Sequence, residues 1–574
     1  PEAFIGPWRD EANAAAVEGG ACGNSAGAGG NACGALQQTL TLAPGASWTT
    51  TVIVGEGGID TGRQARAHWT PAAVARALDE LAAYWDERLR PLQCRTPQAP
   101  LDSSINVWNA YQAHVVFRWS RSASYVEAGD RDGLGYRDTL QDTLGVLHTV
   151  PDRVQETLVD LLRGQASDGS ALHKVQPLTL ETGRGETPAA VYSDDHLWLL
   201  PAVDAYLAET GDLDFLAREV DWLDTGAATV YDHCRQALEF SWANRGRYGL
   251  LFGLAADWND ALQIGRDGES VWTSMQFCLA CDRFAGWARR LGRDDDAALA
   301  RSRREQMAQY INDRAWDGAW YCRALMEDGA VIGADGNEVA RIWLNPQAWS
   351  VIAGVADADR GVQAMDAVHE HLFSEHGVHL FLPPHTDLQR EVPGRVCYPP
   401  GFKENGAIFC HPNPWAVMAE CRLGRGDRAW AYARALLPAS MNDRAEVRRI
   451  EPYVYGQFVE GRDSAAFGRA HNPWVTGTST WSYVAATQHL LGLRPTLEGL
   501  VIDPCIPASW EGFEVTRVFR GATYHVTVRN PDQVCRGVCR LTADGREVER
   551  SLLPAAPAGA RVSVEAVLGP AGDG

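Results

Sequence analysis

The sequence lacks the features that would place the chain in a membrane or on nucleic acid. No apolar run reaches the roughly 18 residues that a membrane-spanning helix needs. No block of about five or six like charges stands out either. The net charge is −21, from 52 basic and 73 acidic residues. We therefore expect neither nucleic acid nor a membrane as a partner.

Motifs for metals, nucleotides and acyl transfer are also missing. The thirteen cysteines show no zinc-type spacing, and the CxxC at Cys278 and Cys281 lies on an apolar helical stretch where free thiols are expected. There is also no GxxxxGKS or GxxxxGKT loop, no GxGxxG between a strand and a helix and no GxSxG elbow. We expect no metal and no cofactor. The start, PEAFIGPWRDEANAAAVEGG, has neither the basic residues nor the apolar run of a signal peptide. A cytoplasmic enzyme with reduced cysteines is expected, and a Cys22–Cys33 disulfide is the less favoured alternative.

Helical periodicity dominates the middle of the 574 residues. In TPAAVARALDELAAYWDERLRPL the apolar residues recur every three to four positions, with Thr70 as N-cap and Pro71 at the first helical position. About a dozen such segments continue to about residue 493, without the βαβ alternation of a parallel sheet. A double ring of helices, an (α/α)6 barrel, accounts for them.

Strand-like segments flank this helical region. ALQQTLTLAPGASWTTTVIVGEG predicts two strands joined by a hairpin, and GFEVTRVFRGATYHVTVRNP and RVSVEAVLG predict further strands near the end. The predicted fold is mainly α, with β segments at both ends. The predicted domains are the end of a β domain, a helical linker, the barrel and a small β domain, at residues 1–65, 66–100, 101–495 and 496–574.

Charged and aromatic residues concentrate in loops between the helices. RWSRSASYVEAGDRDGLGYRDTLQD, residues 118–142, mixes four arginines with four aspartates. It is either a solvated, salt-bridged loop or a pocket that binds sugar hydroxyls and an anion. AADWND holds Asp257 and Asp260, which either cap a helix or include a catalytic acid.

Three further loops carry polar side chains. YPPGFKENGAIFCHPNPW contains Lys403, Glu404 and His411, and HNPWVTGTSTW has a Thr-Gly-Thr turn suited to an oxyanion. In VYSDDHLWL the two aspartates, Asp194 and Asp195, are expected to cap a helix. With 21 tryptophans and 16 tyrosines available for stacking on sugars, these loops favour a carbohydrate enzyme with an anion site.

Four motifs, GYRDTLQD, ADWND, KENGAIFCHPN and WVTGTSTW, occur in this order on a helical core flanked by β segments. Together they resemble the inverting disaccharide phosphorylases of glycoside hydrolase family 94, which include cellobiose, chitobiose and cellobionic acid phosphorylases. The resemblance implies an N-terminal β-sandwich, a linker, an (α/α)6 barrel and a C-terminal β domain. Only the end of the sandwich is expected in this chain, and the full-length protein is expected to be a homodimer.

The resemblance also implies roles for particular residues. Asp260 matches the catalytic general acid, and Trp258 matches a sugar-binding residue beside it. The other matched residues are Arg121, Arg131 and Asp138 for the non-reducing sugar, Arg131, His411, Thr476 and Gly477 for phosphate, Glu404 and Lys403 for the acceptor, and Gln457 for a further sugar contact.

The expected reaction follows from these residue types. An inverting glycosidase uses one carboxylic acid and a second carboxylate that activates water. Phosphate is already a nucleophile, so a cationic cradle can replace the second carboxylate. Asp260 must begin protonated, and Asp257 is a candidate neighbour that favours this state.

We expect reversible phosphorolysis of a β-linked disaccharide to an α-sugar 1-phosphate and a free acceptor sugar, with a glucosyl donor favoured over an N-acetylglucosaminyl donor. Phosphate is then a substrate, and no cofactor is required. Two alternatives stay open: an inverting hydrolase with Glu404 as base, and a noncatalytic sugar-binding fragment.

Overall fold

The computed structural model describes residues 2–25, 33–55, 57–120, 134–175, 190–262, 264–387, 394–549 and 551–570. The chain divides into two compact units, Pro1–Trp85 and Asp86–Gly574. Arg121 and Arg131, two of the predicted site residues, lie outside the described residues. No helix within the described ranges is both long enough and apolar enough to cross a membrane.

The first unit contains short helices and extended chain. Its helices are α1 (Glu2–Ile5), α2 (Ala15–Glu18), α3 (Ile59–His68) and most of α4 (Pro71–Leu89). The α4 prediction is confirmed, since Pro71 is its first residue and the Ala73 N–H donates to Thr70 Oγ1 at 3.3 Å.

Of the predicted hairpin in this unit, the turn is present but the two strands are not. The turn at Pro44–Gly45 forms, with the Ala46 N–H donating to the Ala43 carbonyl at 2.9 Å. However, residues 33–55 contain no strand, so the prediction of two strands is wrong for the described chain. A two-stranded hairpin is marginally stable without a third strand or a packed face, and most of these side chains are exposed.

Helices make up most of the second unit. They are α5 (Ala99–Ser103), α6 (Asn109–Trp119), α7 (Tyr136–Thr143), α8 (Pro151–Leu162), α9 (Leu199–Thr210), α10 (Val230–Ala243), α11 (Val271–Arg290), α12 (Asp294–Arg314), α13 (Leu344–Ile352), α14 (Ala358–His371), α15 (Asn413–Arg422), α16 (Gly426–Leu436), α17 (Ala445–Arg448) and α18 (Thr478–Val484). A π-helical stretch, Ser104–Trp108, joins α5 to α6, and another, Ala485–Leu490, continues α18.

Six of these helices form a closed ring. Each of α7, α9, α11, α13, α15 and α18 packs against the next, and α18 packs against α7. A second set lies against this ring: α8 contacts α7 and α9, α10 and α12 contact α11, α14 contacts α13 and α15, α16 contacts α15, and α6 contacts α18 and α7.

Tryptophans from five of the ring positions fill its centre. Their indole rings contact one another at centroid distances between 5.4 and 6.4 Å, and each is almost fully buried. We call this group the tryptophan cluster; its members are Trp198 just before α9, Trp272 on α11, Trp349 on α13, Trp415 on α15 and Trp481 on α18. Aromatic pairs in such arrangements add about 0.5–1.5 kcal/mol each beyond the burial of their area.

The predicted C-terminal strands are confirmed. They belong to a six-stranded sheet with the spatial order Leu92–Arg95, Gly512–Phe519, Ala522–Arg529, Arg561–Leu568, Val538–Ala543 and Arg546–Glu547. Buried and less buried residues alternate along Ala522–Arg529, as expected for one face on a core. The first strand comes from the region predicted as a helical linker and pairs antiparallel with Gly512–Phe519, with Cys94 opposite Val515.

Short strands connect the loops between helices. One three-stranded sheet, made of Ile408–Phe409, Gly456–Val459 and Ala470–Pro473, holds the segments that carry His411, Gln457 and Thr476. The other short strands are Leu134–Gly135, Lys174–Val175, Glu219–Asp221, Ala227–Thr229, Leu251–Phe252, Glu269–Ser270, Ala324–Leu325, Val331–Ile332, Ile342–Trp343, Phe373–Ser374, Gly377–Val378, Phe381–Leu382, Leu493–Pro495, Gly499–Ile502 and Leu552–Pro554.

Candidate active site

Asp260 is held by a buried arginine while its carboxylate stays open to solvent. Arg137, on the first turn of α7, donates through Nη2 to Asp260 Oδ1, and their side chains are 6% and 44% exposed. The other terminal nitrogen, Nη1, donates to Asp194 Oδ1 and to the Asp257 carbonyl, both at 2.9 Å. Arg137 therefore fixes the position of an acid that a ligand can reach.

Asp257 has a structural role. Its Oδ1 accepts from Arg323 Nη2 at 2.7 Å and from the Asn259 N–H at 3.0 Å, and its Oδ2 accepts from Ser270 Oγ at 2.6 Å. Burial alone would raise the pKa of Asp257, but the charge and hydrogen bonds of Arg323 outweigh it and lower the pKa.

The helix-cap interpretation of the AADWND stretch is therefore wrong. No helix begins there, because the next one is α11 at Val271, and Asp257 instead closes a turn with Asn259. Asp257 forms an ion pair with Arg323, and its influence on the protonation of Asp260 stays a prediction.

Glu404 lies beside the Asp260 loop. Its Oε2 accepts from Asn259 Nδ2 at 3.3 Å, and its side chain is buried. Burial raises the pKa of Glu404 to about 7, and the charge of Asp260 adds to this rise. The structure thus brings two of the predicted site carboxylates close together.

A strained turn presents Glu404. Phe402 and Asn405 form its ends, and Lys403 has φ of +49°, a left-handed conformation that a side chain other than glycine adopts at a cost. Asn405 anchors the turn by donating through Nδ2 to the carbonyls of His385 at 2.8 Å and Tyr398 at 2.6 Å. The Lys403 ammonium lies 5.1 Å from the centroid of the Tyr398 ring.

A glutamine on α7 connects the predicted phosphate residues to Arg137. Gln141 Oε1 lies 2.9 Å from both His411 Nε2 and Trp481 Nε1. Because an amide oxygen only accepts, His411 Nε2 carries a proton in this arrangement. Gln141 Nε2 donates to the Arg137 carbonyl, four residues earlier on the same helix, so α7 presents both side chains on one face.

Trp258 and His411 pack against each other, with ring centroids 5.0 Å apart. Trp258 is only 7% exposed and also contacts Phe409 and Trp415. Little of this indole therefore remains to stack on a sugar, and most of it supports His411 and the tryptophan cluster.

Thr476 and Gly477 lie at the start of α18. Gly477 precedes the first helical residue, and Thr476 Oγ1 is 2.8 Å from Thr478 Oγ1. The turn is held from α6, where Gln112 Nε2 donates to the Trp474 carbonyl at 3.0 Å. Gln457 Oε1 accepts from Asn472 Nδ2 at 2.8 Å on the neighbouring strand.

Asp194 and Asp195 do not cap a helix through their side chains, so that prediction is wrong. Asp194 accepts from Arg137 and from Trp198 Nε1 at 3.0 Å, and burial raises its pKa to about 7. Asp195 Oδ2 lies 3.0 Å from His173 Nδ1, and the His173 ring stacks on Tyr192 with centroids 3.9 Å apart. Burial lowers the pKa of His173, but Asp195 more than offsets this and raises it.

Asp138 lies half-buried on α7, against Gly135, where an added Cβ would come within 2.8 Å of its Oδ2. Sequence reasoning missed four residues of this site: Arg137, Gln141, Asn259 and Arg323. Arg137, Gln141 and Asn259 stand inside the motifs GYRDTLQD and ADWND. Arg323 belongs to no motif, and only the fold brings it to Asp257.

The described residues contain no group of three or more His, Cys, Asp or Glu placed to hold a metal ion. All thirteen cysteines are unpaired, including Cys22 and Cys33. The side chains described at the site supply carboxylates, guanidinium groups, the imidazoles of His173 and His411, and hydroxyls.

Comparison with known proteins agrees with the motifs. The family model described as "Glycosyl hydrolase 94 superfamily, catalytic domain" matches residues 84–492, and "Glycosyl hydrolase 94, supersandwich domain" matches residues 2–76.

Several relatives of this chain carry phosphorylase names. The N,N'-diacetylchitobiose phosphorylase of Vibrio proteolyticus is 42% identical over 99% of this chain and 73% of its own length. The solabiose phosphorylase of Paenibacillus borealis is 33% identical over 96% of this chain and 70% of its own length. The cellobionic acid phosphorylase of Neurospora crassa is 29% identical over 79% of this chain and 58% of its own length.

Proposed function

Since the chain belongs to the glycosyl hydrolase 94 superfamily, we propose that it catalyses the reversible phosphorolysis of a β-linked disaccharide with inversion. It is a phosphorylase of the glycosyltransferase type, as its relatives are. The products are an α-sugar 1-phosphate and a free acceptor sugar. The observation that carries the proposal is an exposed Asp260 carboxylate on a buried arginine, with a histidine and threonine hydroxyls supplied by neighbouring loops.

Asp260 is the proton donor in this proposal. It protonates the glycosidic oxygen as the bond to the anomeric carbon breaks, and a phosphate oxygen attacks that carbon from the opposite face. The Asp260 carboxylate that remains is stabilised by Arg137. In the reverse direction the same carboxylate accepts the proton of the acceptor hydroxyl.

His411, Thr476 and Gly477 form the phosphate cradle in this proposal. The Gln141 amide orients His411, and the three-stranded sheet brings the His411 and Thr476 segments together. Arg131 completes the cradle by the family resemblance. Phosphate bears its own negative charge, so the cradle needs donors and cations instead of a base.

The ring of helices supports the (α/α)6 barrel as the scaffold. Six helices close on themselves, and further helices lie against them, which is the arrangement expected of two concentric rings. In this arrangement the loops that carry Asp260, Glu404, His411 and Thr476 precede the ring helices α11, α15 and α18. Sites on such loops, held by a rigid scaffold, are common.

N,N'-Diacetylchitobiose is the first substrate to test, because the relative that acts on it by name is 42% identical over nearly the whole chain. The preference for a glucosyl donor, as in cellobiose or cellobionic acid, stays a prediction that the same panel tests. Glu404 and Lys403 lie on the acceptor side in this proposal. A homodimer and a cytoplasmic location also stay predictions, to be checked by light scattering and cell fractionation.

The test is a panel of N,N'-diacetylchitobiose, cellobiose and cellobionic acid, each with and without phosphate. Sugar 1-phosphate formed only when phosphate is present supports the proposal, and NMR of the fresh product reports the anomer. Equal cleavage without phosphate would instead show a hydrolase, with Glu404 as the candidate base. Binding by calorimetry without any turnover would show a sugar-binding fragment.

A further inference from the structure

An arginine-lined cavity lies towards the end of the helical ring at which α11 and α15 finish. It has a volume of about 1070 Å³. Residues from the second halves of α11 and α15 line it, together with the turn after α13 and the segment after α18. The active-site loops, in contrast, precede the ring helices. Of the residues described at the candidate site, the cavity shares only Trp198, Trp415 and Trp481, which belong to the tryptophan cluster.

The cavity is strongly basic. Seven arginines line it against three carboxylates, from Asp204, Asp282 and Glu498. Each carboxylate is already paired with one arginine, since Arg283 lies 3.3 Å from Asp204, Arg304 lies 3.4 Å from Asp282, and Arg290 binds Glu498. Positive charge is therefore left over in a protein whose net charge is −21.

Arg422 and Arg494 carry much of this excess. Neither makes a salt bridge among the described residues. Arg422 Nη1 donates to the Ile352 carbonyl at 2.6 Å, as arginines near helix C-termini commonly do, but its buried Nε has no hydrogen-bond acceptor. Burial and the nearby positive charges of Arg283 and Arg494 lower the pKa of Arg422 to about 10.

Like charges gathered in this way are unfavourable unless an anion lies among them. Arginine binds phosphate through two parallel N–H groups, and the fork is the residue's main advantage over lysine. Binding of a phosphate group by Arg422 and Arg494 would relieve the repulsion between these two arginines.

The part of the cavity that is lined by tryptophans can accommodate an organic group. Trp349 and Trp415 line it, and the indole N–H of each is buried without a hydrogen-bond acceptor. Indole rings pack on the apolar faces of sugars. The volume of the cavity exceeds what a single phosphate ion requires.

We propose that this cavity binds a phosphorylated sugar, with the phosphate on Arg422 and Arg494 and the sugar towards the tryptophan cluster. The cavity is separate from the site of phosphorolysis. The proposal does not rest on the proposed function, because binding is measured without turnover.

Calorimetry with glucose 6-phosphate as the probe tests the proposal. Wild-type protein is compared with the Arg422→Gln/Arg494→Gln variant and with a matched control, Arg301→Gln/Arg314→Gln, in which both arginines are on the exposed surface of α12. We expect the cavity variant to bind the probe at least about tenfold more weakly, since charge-assisted hydrogen bonds are lost. The control should bind as the wild type does.

Two further probes test whether the phosphate group or the sugar alone accounts for binding. Because the candidate active site is itself proposed to bind phosphate and sugar, only the binding that is lost in the cavity variant is compared between probes. Measured in this way, inorganic phosphate and glucose, each alone, should bind more weakly than glucose 6-phosphate. If phosphate alone binds as tightly, the assignment to a sugar phosphate is overturned. Wild-type protein that does not bind the probe, or a cavity variant that binds it normally, overturns the site itself. Arg494→Gln alone, judged by the same outcomes, replaces the double variant if that variant does not fold.

Discussion

At the scale of single residues, two aspartates three positions apart have opposite environments. Asp257 is 1% exposed and neutralised by Arg323, whereas the Asp260 side chain is 44% exposed and meets Arg137 at the edge of the site. Their roles follow from these environments. A buried, paired carboxylate stabilises the loop, and an exposed one is available to a substrate.

The role of Asp260 predicts a large loss of activity in Asp260→Asn. Removal of a general acid lowers the rate by about 10²–10⁴-fold. Phosphorolysis kinetics measure the loss, and circular dichroism confirms folding. Asp267→Asn, an exposed change seven residues later, is the control and should keep normal activity. Near-normal rates in Asp260→Asn would remove this residue from catalysis.

The raised pKa of Glu404 predicts a pH-dependent gain of stability in Glu404→Gln. The folded protein holds this proton up to about pH 7, whereas the unfolded chain loses it near 4.5. The free energy of unfolding of the wild type therefore decreases as the pH rises from 4.5 to 7, and the variant lacks this decrease. The variant should gain on the order of 3 kcal/mol relative to wild type across this range, and no more above it. Urea unfolding at pH 5 and pH 8 checks this, and a constant difference would contradict it.

Because Arg323 and Asp257 form a buried ion pair, the effects of substitutions at these two positions on the free energy of unfolding should depend strongly on each other. Arg323→Met leaves a buried carboxylate without a partner and should cost about 3–5 kcal/mol. The double variant with Asp257→Leu should cost clearly less than the sum of the single variants. The exposed pair Arg529 and Glu565 is the matched control, with an expected coupling of about 0–1 kcal/mol. Additive costs at Arg323 and Asp257 would contradict the assignment.

At the scale of elements, α7 organises the site although it is only eight residues long. It begins after Gly135 and presents Arg137 to Asp260 on its first turn and Gln141 to His411 on its second. Trp481 of α18 binds the same amide oxygen of Gln141. One short helix thus couples the acid to the predicted phosphate cradle.

This coupling predicts that Gln141→Leu impairs the use of phosphate. His411 loses the acceptor that orients it, so the KM for phosphate should rise about tenfold, with a smaller effect on the KM for the disaccharide. Steady-state kinetics with each substrate varied in turn measure the two constants. Gln306→Leu, at an exposed position on α12, is the control. Equal increases in both KM values would indicate a general structural effect instead.

At the scale of the whole molecule, the tryptophan cluster is the centre of the helical ring in the second unit. The candidate site lies before the ring helices, the arginine-lined cavity lies towards their ends, and indole rings contact both. Replacing one of these tryptophans by a small side chain should destabilise the protein, because the rigid helices around the cluster cannot move to fill the space that is left.

Trp349→Ala should therefore cost about 3–5 kcal/mol of the free energy of unfolding. Urea denaturation measures it, with Trp8→Ala as the control because the Trp8 side chain is fully exposed. The control should change stability by less than about 0.5 kcal/mol. If Trp349→Ala lowers the free energy of unfolding by less than 1 kcal/mol, the tryptophan cluster does not stabilise the fold as proposed.

Local patterns were enough to predict several elements. The start of α4 follows from Thr70 and Pro71, and the C-terminal strands follow from alternating burial. The stretch ALQQTLTLAPGASWTTTVIVGEG has a similar alternation, but its described residues form no strand, because a hairpin depends on neighbours that local sequence does not supply. The sequence also predicts that Asp260, Glu404 and His411 lie on loops, and the structure places them there; their roles stay predictions.

The sequence by itself determined the chemistry of this protein: carboxylates, arginines, a histidine and threonines in four ordered motifs, on a helical chain. Only the tertiary structure decided which of these groups meet. Arg137 and Asp260 are 123 positions apart, and Arg323 and Asp257 are 66 apart. Spacing along the chain predicts contacts within a helix or a turn, but contacts between ring helices and their loops depend on packing. That packing buried Asp257, left Asp260 open to solvent and brought the arginines of the arginine-lined cavity together.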